Sequence, residues 1–522
     1  MAEKLHQLRT RRPHLKSRGG CQTCKSRHIR CDQSWPSCEQ CKNTGRQCDG
    51  YERQSHTVFT PRHMSMQHFR ETFCSAPRPS LRLFPGRSAH EMRSIHYFQI
   101  RTVPAVSGLF DTGLWDSLPL LIGQMEPAVL RAVITLGAYH ELSEKVGPKD
   151  YWDLHRSAGS DPTFRFASEQ YAAAISSFRN ILSSSSLSAA GIEILCILFA
   201  CVEFLRGDRD SALVHISGAL GFVKSRQQKF LLNREEAALK SLLARVSLTQ
   251  SLYGRPRGVP FPDLLDLHKE PAELHKVKFR SLNEARIENT SLLNSTLRFV
   301  QRMVYGYFRD PFTALAAQRN LERKLENWSV AFEAFIKDSD SSTSNLRGTC
   351  LLRTHHLMAK TFIAAAETRL ESAFDHQLSN FTVIVTSIEA ILLSNVHGES
   401  SDSSSFSLDL GIIPPLFYTA IKCRSPDIRR RAIALLRRAP RQDGLWDAME
   451  SAKAAELAMD FEEQQVAGGM PYHATIPEWA RVHDIDIHGR DPSDPSKQLV
   501  ILRWKPDGID KEVQEVRTYI QW

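Results

Sequence analysis

The sequence predicts a small metal-built module followed by a large all-α domain, with a possible small β-hairpin at the C-terminal end. Three observations carry this. Six of the eleven cysteines fall within residues 21–48 as one spacing written twice. From about His90 onward, apolar residues recur at helical intervals. The last 25 residues switch to alternation around a Pro-Asp-Gly turn.

The cysteine block reads C-x2-C-x6-C-x6-C-x2-C-x6-C, at Cys21, Cys24, Cys31, Cys38, Cys41 and Cys48. Thiolates three positions apart at the start of a helix reach one metal, and a third arrives as the chain returns. Zinc takes four ligands in a closed tetrahedral site, and thiolates suit it. Two separate four-ligand sites need eight sulfurs, so six suffice only if two are shared. A disulfide knot needs an oxidising compartment, and the N-terminus MAEKLHQLRTRRPHLKSR has no apolar segment that would direct secretion. An iron–sulfur cluster needs four cysteines and leaves the duplication unexplained.

Charge is concentrated in the same place. Residues 1–50 hold eleven Lys or Arg against four Asp or Glu, a net of +7, while the whole chain is +9. A local basic block implies a polyanionic partner more strongly than a diffuse high isoelectric point does. Lys25, Arg27, His28 and Arg30 lie between the second and third cysteines, where the absence of Gly and Pro suits a short helix. Such a helix in the major groove would let Lys or Arg donate to guanine O6 and N7, while other basic residues hold phosphates. Lys42 and Arg46 of the second half are expected near the backbone. Arg9, Arg11, Arg12, Lys16 and Arg18 form a basic arm, read as a nuclear signal, a phosphate-contacting arm, or a solubilising tail.

The block resembles the fungal binuclear zinc cluster, Zn2Cys6, of transcriptional regulators, with Pro36 in the loop between the halves. The resemblance implies two Zn2+ ions, with Cys21 and Cys38 bridging. One ion would take Cys21, Cys24, Cys31 and Cys38, and the other Cys38, Cys41, Cys48 and Cys21. Two Zn2+ and six thiolates sum to −2, which the surrounding basic residues offset. It further implies a nuclear, sequence-specific DNA-binding transcription factor of fungal metabolic genes, such as a biosynthetic cluster, with double-stranded DNA of CGG type as partner. In relatives the main base-reading position is Lys or Arg. Here it is His28, with at most two donors, so a plain CGG site is not assumed.

Domain expectations follow in order: a basic arm over 1–20, the cluster over 21–50, a linker over 51–89, an all-α regulatory domain over 90–480 and a C-terminal segment over 481–522. The linker carries prolines at 61, 77, 79 and 85 and no heptad zipper. Helical stripes run through Val129, Ala132, Val133, Leu136 and Tyr139, and through Tyr171, Ile175, Phe178 and Leu182. Ile192–Leu205 is apolar nearly all round and is expected as a central buried helix, with Cys196 and Cys201 as core packing. No apolar run is long enough for a membrane span. Leu321, Leu325, Trp328, Phe332 and Phe335 follow 4-3-4-3 spacing, read as a packed helix rather than a coiled coil. Ser-rich stretches at 183–188, 339–344 and 400–407 are expected as loops. Arg429, Arg430, Arg431, Arg437, Arg438 and Arg441 flank an apolar core and read as a solvated helix with one buried face, or as a second basic patch. QLVILRW, KPDG and EVRTYIQW suggest the hairpin.

The stretches SIHYFQIRTVPAVSGLFDTGLW, EPAVLRAVITLGAYHE and ILCILFACVEFLRGDRDSALVHISGAL resemble the all-helical regulatory domain that follows the finger in many fungal regulators. This implies effector sensing, repression of the finger, or contact with the transcription machinery. No P-loop, GxSxG, HExxH or GxGxxG is present, and His355-His356 reads as surface or packing. An enzyme is therefore not expected, and a regulator acting mainly through protein contacts is the nearer alternative.

Overall fold

In the computed structural model the chain forms two compact units, residues 1–62 and 63–522. The structure describes 21–29, 31–32, 34, 37–49, 84–110, 112–146, 161–184, 188–225, 234–253, 278–304, 306, 308, 310–338, 343–368, 370–394, 406–466, 476–490, 493–494 and 496–522. The basic arm with Lys16 and Arg18, the linker up to residue 83, Arg30 and Pro36 lie outside the described residues, as does the Lys25 side chain; the last residues of the expected linker already belong to the second unit, with Phe84 buried in its core and Ser88 capping the Ala89–Tyr97 helix.

In the first unit two short helices, α1 (Gln22–Ser26) and α2 (Glu39–Lys42), open the two cysteine halves. Among the described residues, the buried apolar set of this unit is five cysteines, with Cys48 packed at its rim.

The second unit is a helical assembly around one core. Its centre is the Ala189–Arg206 helix. Ser188 caps it by accepting from the Gly191 amide, and Gly207, at φ 74°, ends it in the left-handed conformation a helix stop favours. Every residue from Glu193 to Leu205 is buried, as the unbroken apolar run requires. Glu203 is tolerated there because Tyr171 and Arg206 hydrogen-bond to it. The Pro127–Val146 helix packs on Pro162–Ser184 and on Ala89–Tyr97. At Gly137 a Cβ would clash with the Ser94 carbonyl, so this crossing requires glycine.

The 4-3-4-3 stripe lies on the Pro311–Asp338 helix. Leu321, Leu325, Trp328 and Phe332 are buried, and Phe335 packs against the core. Trp328 donates to the Ala285 carbonyl at 3.0 Å and stacks on His356 with centroids 4.4 Å apart. His355 meets the Gly411 carbonyl at 2.9 Å, so both histidines are packing residues. Burial holds His356 neutral, with its pKa pushed down to about 3.

Several expectations are corrected. Helix Pro162–Ser184 runs into the first Ser-rich stretch, and Ser188 is a cap. Within 400–407, Phe406–Ser407 is not loop but a short strand, β1. It pairs in parallel with β2 (Gln442–Asp443), which pairs antiparallel with β3 (Trp446–Asp447). These strands interrupt the region expected to be helical throughout. The combined helical stretch Glu371–Ser394 does meet the length and composition of a membrane span. Its apolarity has another use here: Phe381, Ile384, Val385, Ile388 and Ile391 are buried against neighbouring helices.

The arginine run follows the first of its two readings, a helix with one buried face: Ile428, Ala432, Ile433, Leu435 and Leu436 are buried on Pro426–Leu436, and most of the arginines are paired rather than forming a basic patch. Arg429 is buried and bonds to Glu462 at 2.7 Å. Arg430 pairs with Glu463, Arg431 with Glu389, Arg437 with Glu456 and Arg441 with Asp447. Glu389, Glu456, Glu462 and Glu463 come from helices distant in sequence, which composition cannot reveal, while Arg438 is exposed.

The C-terminal hairpin exists as β5 (Lys497–Trp504) and β6 (Gln514–Gln521), with Leu499 opposite Tyr519 and Ile501 opposite Arg517. A further strand, β4 (Val482–Arg490), was not expected. Its sequence VHDIDIHGR has a polar outer face and shifts register at two points, which hides the alternation. Asp484 and Asp486 are held by the nearly buried Arg503. The sheet is tied to the helices through Glu462, which accepts from the Val482 amide, and through Gln498, which donates to Glu450.

Candidate metal centre and nucleic-acid interface

The six cysteines contain no disulfide among the described residues. Their sulfurs form two groups of four, each with all atoms within 4.8 Å: Cys21, Cys24, Cys31 and Cys38, and Cys21, Cys38, Cys41 and Cys48. Two sulfurs on one tetrahedral ion with ~2.3 Å bonds lie about 3.8 Å apart. The observed separations are 3.6 Å for Cys21–Cys38, 3.8 Å for Cys21–Cys41 and 3.7 Å for Cys24–Cys38. A disulfide needs ~2.0 Å. Cys21 and Cys38 belong to both groups, as two shared sulfurs would.

The donor chemistry fits a metal as well. Burial pushes the Cys21 thiol up to about 12 and raises Cys24 and Cys38 too, so without a cation these groups stay protonated at neutral pH. A divalent ion removes that barrier by displacing the protons. Backbone amides already face the sulfurs: Cys24 N donates to Cys21 Sγ at 3.3 Å, Cys41 N to Cys38 Sγ at 3.4 Å and Cys21 N to Cys31 Sγ at 3.4 Å. Such donors stabilise thiolate charge.

The duplication extends beyond the sulfurs. The amide of Ile29 donates to the Cys24 carbonyl at 3.2 Å, and that of Arg46 to the Cys41 carbonyl at 3.0 Å. Each bond closes a short helix over a residue with positive φ: His28 at 53° and Gly45 at 63°. These are matching positions, four residues past the second cysteine of each half. His28 is the one non-glycine residue with positive φ among the described residues. The helix expected over 25–30 therefore stops at Ser26. The chain must turn back at once to return Cys31 to the sulfur cluster. His is among the side chains that tolerate this conformation better than most, though at a cost. His28→Gly is expected to gain up to about 1 kcal/mol, and His28→Val to lose stability. Chelator resistance of the zinc-loaded protein measures both. No gain from glycine would mean that the loaded protein does not hold this turn.

The halves also cap each other. Asp32, directly after Cys31, accepts from the amides of Glu39 at 3.1 Å and Gln40 at 3.3 Å at the start of α2. The Ser34 hydroxyl and these amides hold its carboxyl well below the usual range. Asp49, directly after Cys48, accepts from Thr23 Oγ1 of α1 at 2.9 Å. Neither aspartate was singled out in the sequence, although Cys-Asp closes both copies of the repeat and was the available signal.

Of the expected DNA-contacting residues, His28, Lys42 and Arg46 are exposed and Arg27 is half-buried. Arg27 Nη1 reaches across to Thr44 Oγ1 of the other half at 3.2 Å.

Residues 19–57 match the model of the fungal Zn(2)-Cys(6) binuclear cluster domain, and residues 93–455 that of the fungal specific transcription factor domain. The second match alone spans more than half of the chain. The chain belongs to the fungal-specific transcription factor family. Its cluster domain is of the kind that binds two zinc ions, and zinc-cluster transcription factors bind DNA. Similar curated proteins include the Aspercryptin biosynthesis cluster-specific transcription regulator of Emericella nidulans, 25% identical over 589 aligned positions covering 90% of this chain and 91% of that protein. Transcription regulator lscL of Purpureocillium lilacinum is 22% identical over 73% of this chain and 95% of its own length. A Zn(2)-C6 fungal-type transcription factor of Aspergillus fumigatus is 31% identical over 26% of this chain and 35% of its own. No solved structure matches. The family membership makes an enzyme unexpected. A hydroxyl–imidazole–carboxylate arrangement does occur, with Thr102 Oγ1 3.0 Å from His140 Nδ1 and Glu144 3.6 Å from Nε2. Thr102 and His140 are fully buried, and burial pushes the imidazole down to about 4, so it serves packing.

Proposed function

We propose that this factor reads duplex DNA in the nucleus through its zinc cluster and controls a set of biosynthetic genes. The observation that carries the reading is the pair of four-sulfur groups sharing Cys21 and Cys38. In this reading Cys21, Cys24, Cys31 and Cys38 hold one Zn2+, and Cys21, Cys38, Cys41 and Cys48 hold the other. When bound, the metals supply the rigid core that a unit of this size lacks. The protein's own residues then set the DNA contact. The turn at His28 ends α1 abruptly and presents Arg27, His28 and Ile29 at its tip. Arg27 donates to a guanine edge, and Lys25, Arg30, Lys42 and Arg46 hold phosphates with the arm residues Lys16 and Arg18. His28 serves first as the turn residue, so it contributes less base reading than a lysine at that place would. The regulatory role in biosynthesis rests on the relatives: the Emericella nidulans protein, alike over nine-tenths of both chains, is named as a cluster-specific regulator.

Mapping the chromatin sites that the protein occupies in the fungus that makes it tests this. The reading expects occupancy at a few promoters within one group of neighbouring biosynthetic genes, whose transcripts change on deletion. Occupancy spread over unrelated promoters, or surviving loss of Cys38, would favour a factor recruited by protein contacts.

A further inference from the structure

The second half of the cluster has few basic residues, yet it makes one contact that bears directly on reading. Thr44 lies just after α2, at the position matching Arg27 in the repeat, three residues past the second cysteine. Its hydroxyl donates to the carbonyl of Gln40 at 2.7 Å, with that of Cys41 at 3.2 Å. Both carbonyls belong to the closing turn of α2, so the hydroxyl is pinned. The oxygen keeps its acceptor capacity, and Arg27 Nη1 fills it at 3.2 Å. A guanidinium carries five N–H donors in a rigid planar fork. Thr44 engages one of the two terminal nitrogens, which restrains the side chain and leaves other donors of the fork for a base edge.

We infer that Thr44 is a positioning residue for base reading: it orients Arg27 across the two halves without touching DNA. The inference rests on the proposed reading in which Arg27 contacts a guanine. A free arginine loses rotamer entropy when it is fixed, and a tether already in place before binding reduces that loss on the correct base. The tether should therefore act on discrimination more than on overall affinity. It also gives the less basic half a part in reading: its turn, shaped by Gly45, sets where Thr44 stands.

The test uses the full-length, zinc-loaded protein. Its preferred duplex comes from selection on a random library, and affinity is then measured for duplexes with each guanine replaced in turn. Arg27→Ala should cut discrimination at one guanine by about 5- to 150-fold. Thr44→Val, which keeps shape and removes the hydroxyl, should cut discrimination at that same guanine by about 3- to 10-fold. Thr44→Ser should retain it, and Thr44→Val should add nothing in the Arg27→Ala background. Zinc content must stay at two ions per chain in every variant, which separates positioning from loss of fold. Full discrimination in Thr44→Val, where Arg27→Ala loses it, overturns the inference and leaves the reading intact. An equal loss on all duplexes for Thr44→Val also overturns it. If Arg27→Ala itself changes no base preference, the reading by Arg27 fails, and that outcome is distinct.

Discussion

Cys38→Ala is expected to release both zinc ions and unfold the cluster while the helical domain stays folded. Cys38 is fully buried and its sulfur belongs to both four-sulfur groups, so its loss leaves neither group complete. Structural zinc sites of this kind contribute about 10–16 kcal/mol of binding free energy that is also folding free energy. The unit has no other buried apolar residues among those described to replace it. Cys48→Ala is the control, because Cys48 sits at the rim and belongs to one group only. It should lower the zinc content towards one ion per chain. Zinc measured per chain, together with helical circular dichroism, checks both. Equal stoichiometry in the two variants would mean that Cys38 is not shared.

The second large effect lies in the helical domain. Glu462→Gln is expected to cost about 3–5 kcal/mol of stability, because it leaves the buried Arg429 without its counter-charge and Arg424 with Glu371 alone. Glu462 is fully buried and bonds to Arg424 and Arg429 at 2.7 Å each, and it accepts from the Val482 amide that ties the C-terminal sheet to the helices. Although burial alone would raise its pKa, Arg424 and Arg429 hold the carboxyl down at about 2. A depressed folded value means that this stability is present above the ordinary carboxylate value of 4.5 and is lost as pH falls from there towards 2. The control is Glu463→Gln. The Glu463–Arg430 pair is 42% exposed on both sides, and its loss should cost under about 1 kcal/mol. Thermal melts of the two variants should differ by several degrees. Equal melts would show that water reaches Glu462.

The legible parts of the molecule were those set by local spacing. The cysteine unit, the buried Ala189–Arg206 helix and the packed stripe of Pro311–Asp338 each follow from residues within a few turns of one another. The parts that stayed hidden depend on partners far along the chain. The sequence around Ala432 reads as a helix with one buried face, but it leaves open a basic patch as well, because Glu389, Glu456, Glu462 and Glu463 that pair with its arginines lie on other helices. Strand β4 is not legible in the sequence because its outward face carries aspartates whose partner, Arg503, lies on the neighbouring strand. The early end of α1 was missed for a different reason: a positive φ is usually announced by glycine, and here the residue is His28. The mate of that position in the repeat is Gly45, and aligning the two halves on their cysteines exposes the shared turn.

The central claim is that the zinc-built cluster reads sequence. The most direct measurement compares the affinity of the zinc-loaded, full-length protein for its selected duplex with that for a scrambled one, over a range of salt and again after chelation. The account predicts a preference of at least about 10^3-fold, weakening of both affinities as salt rises, and loss of the preference when zinc is removed. Equal affinity for the two duplexes with two zinc ions bound, or a preference that survives chelation, would contradict it.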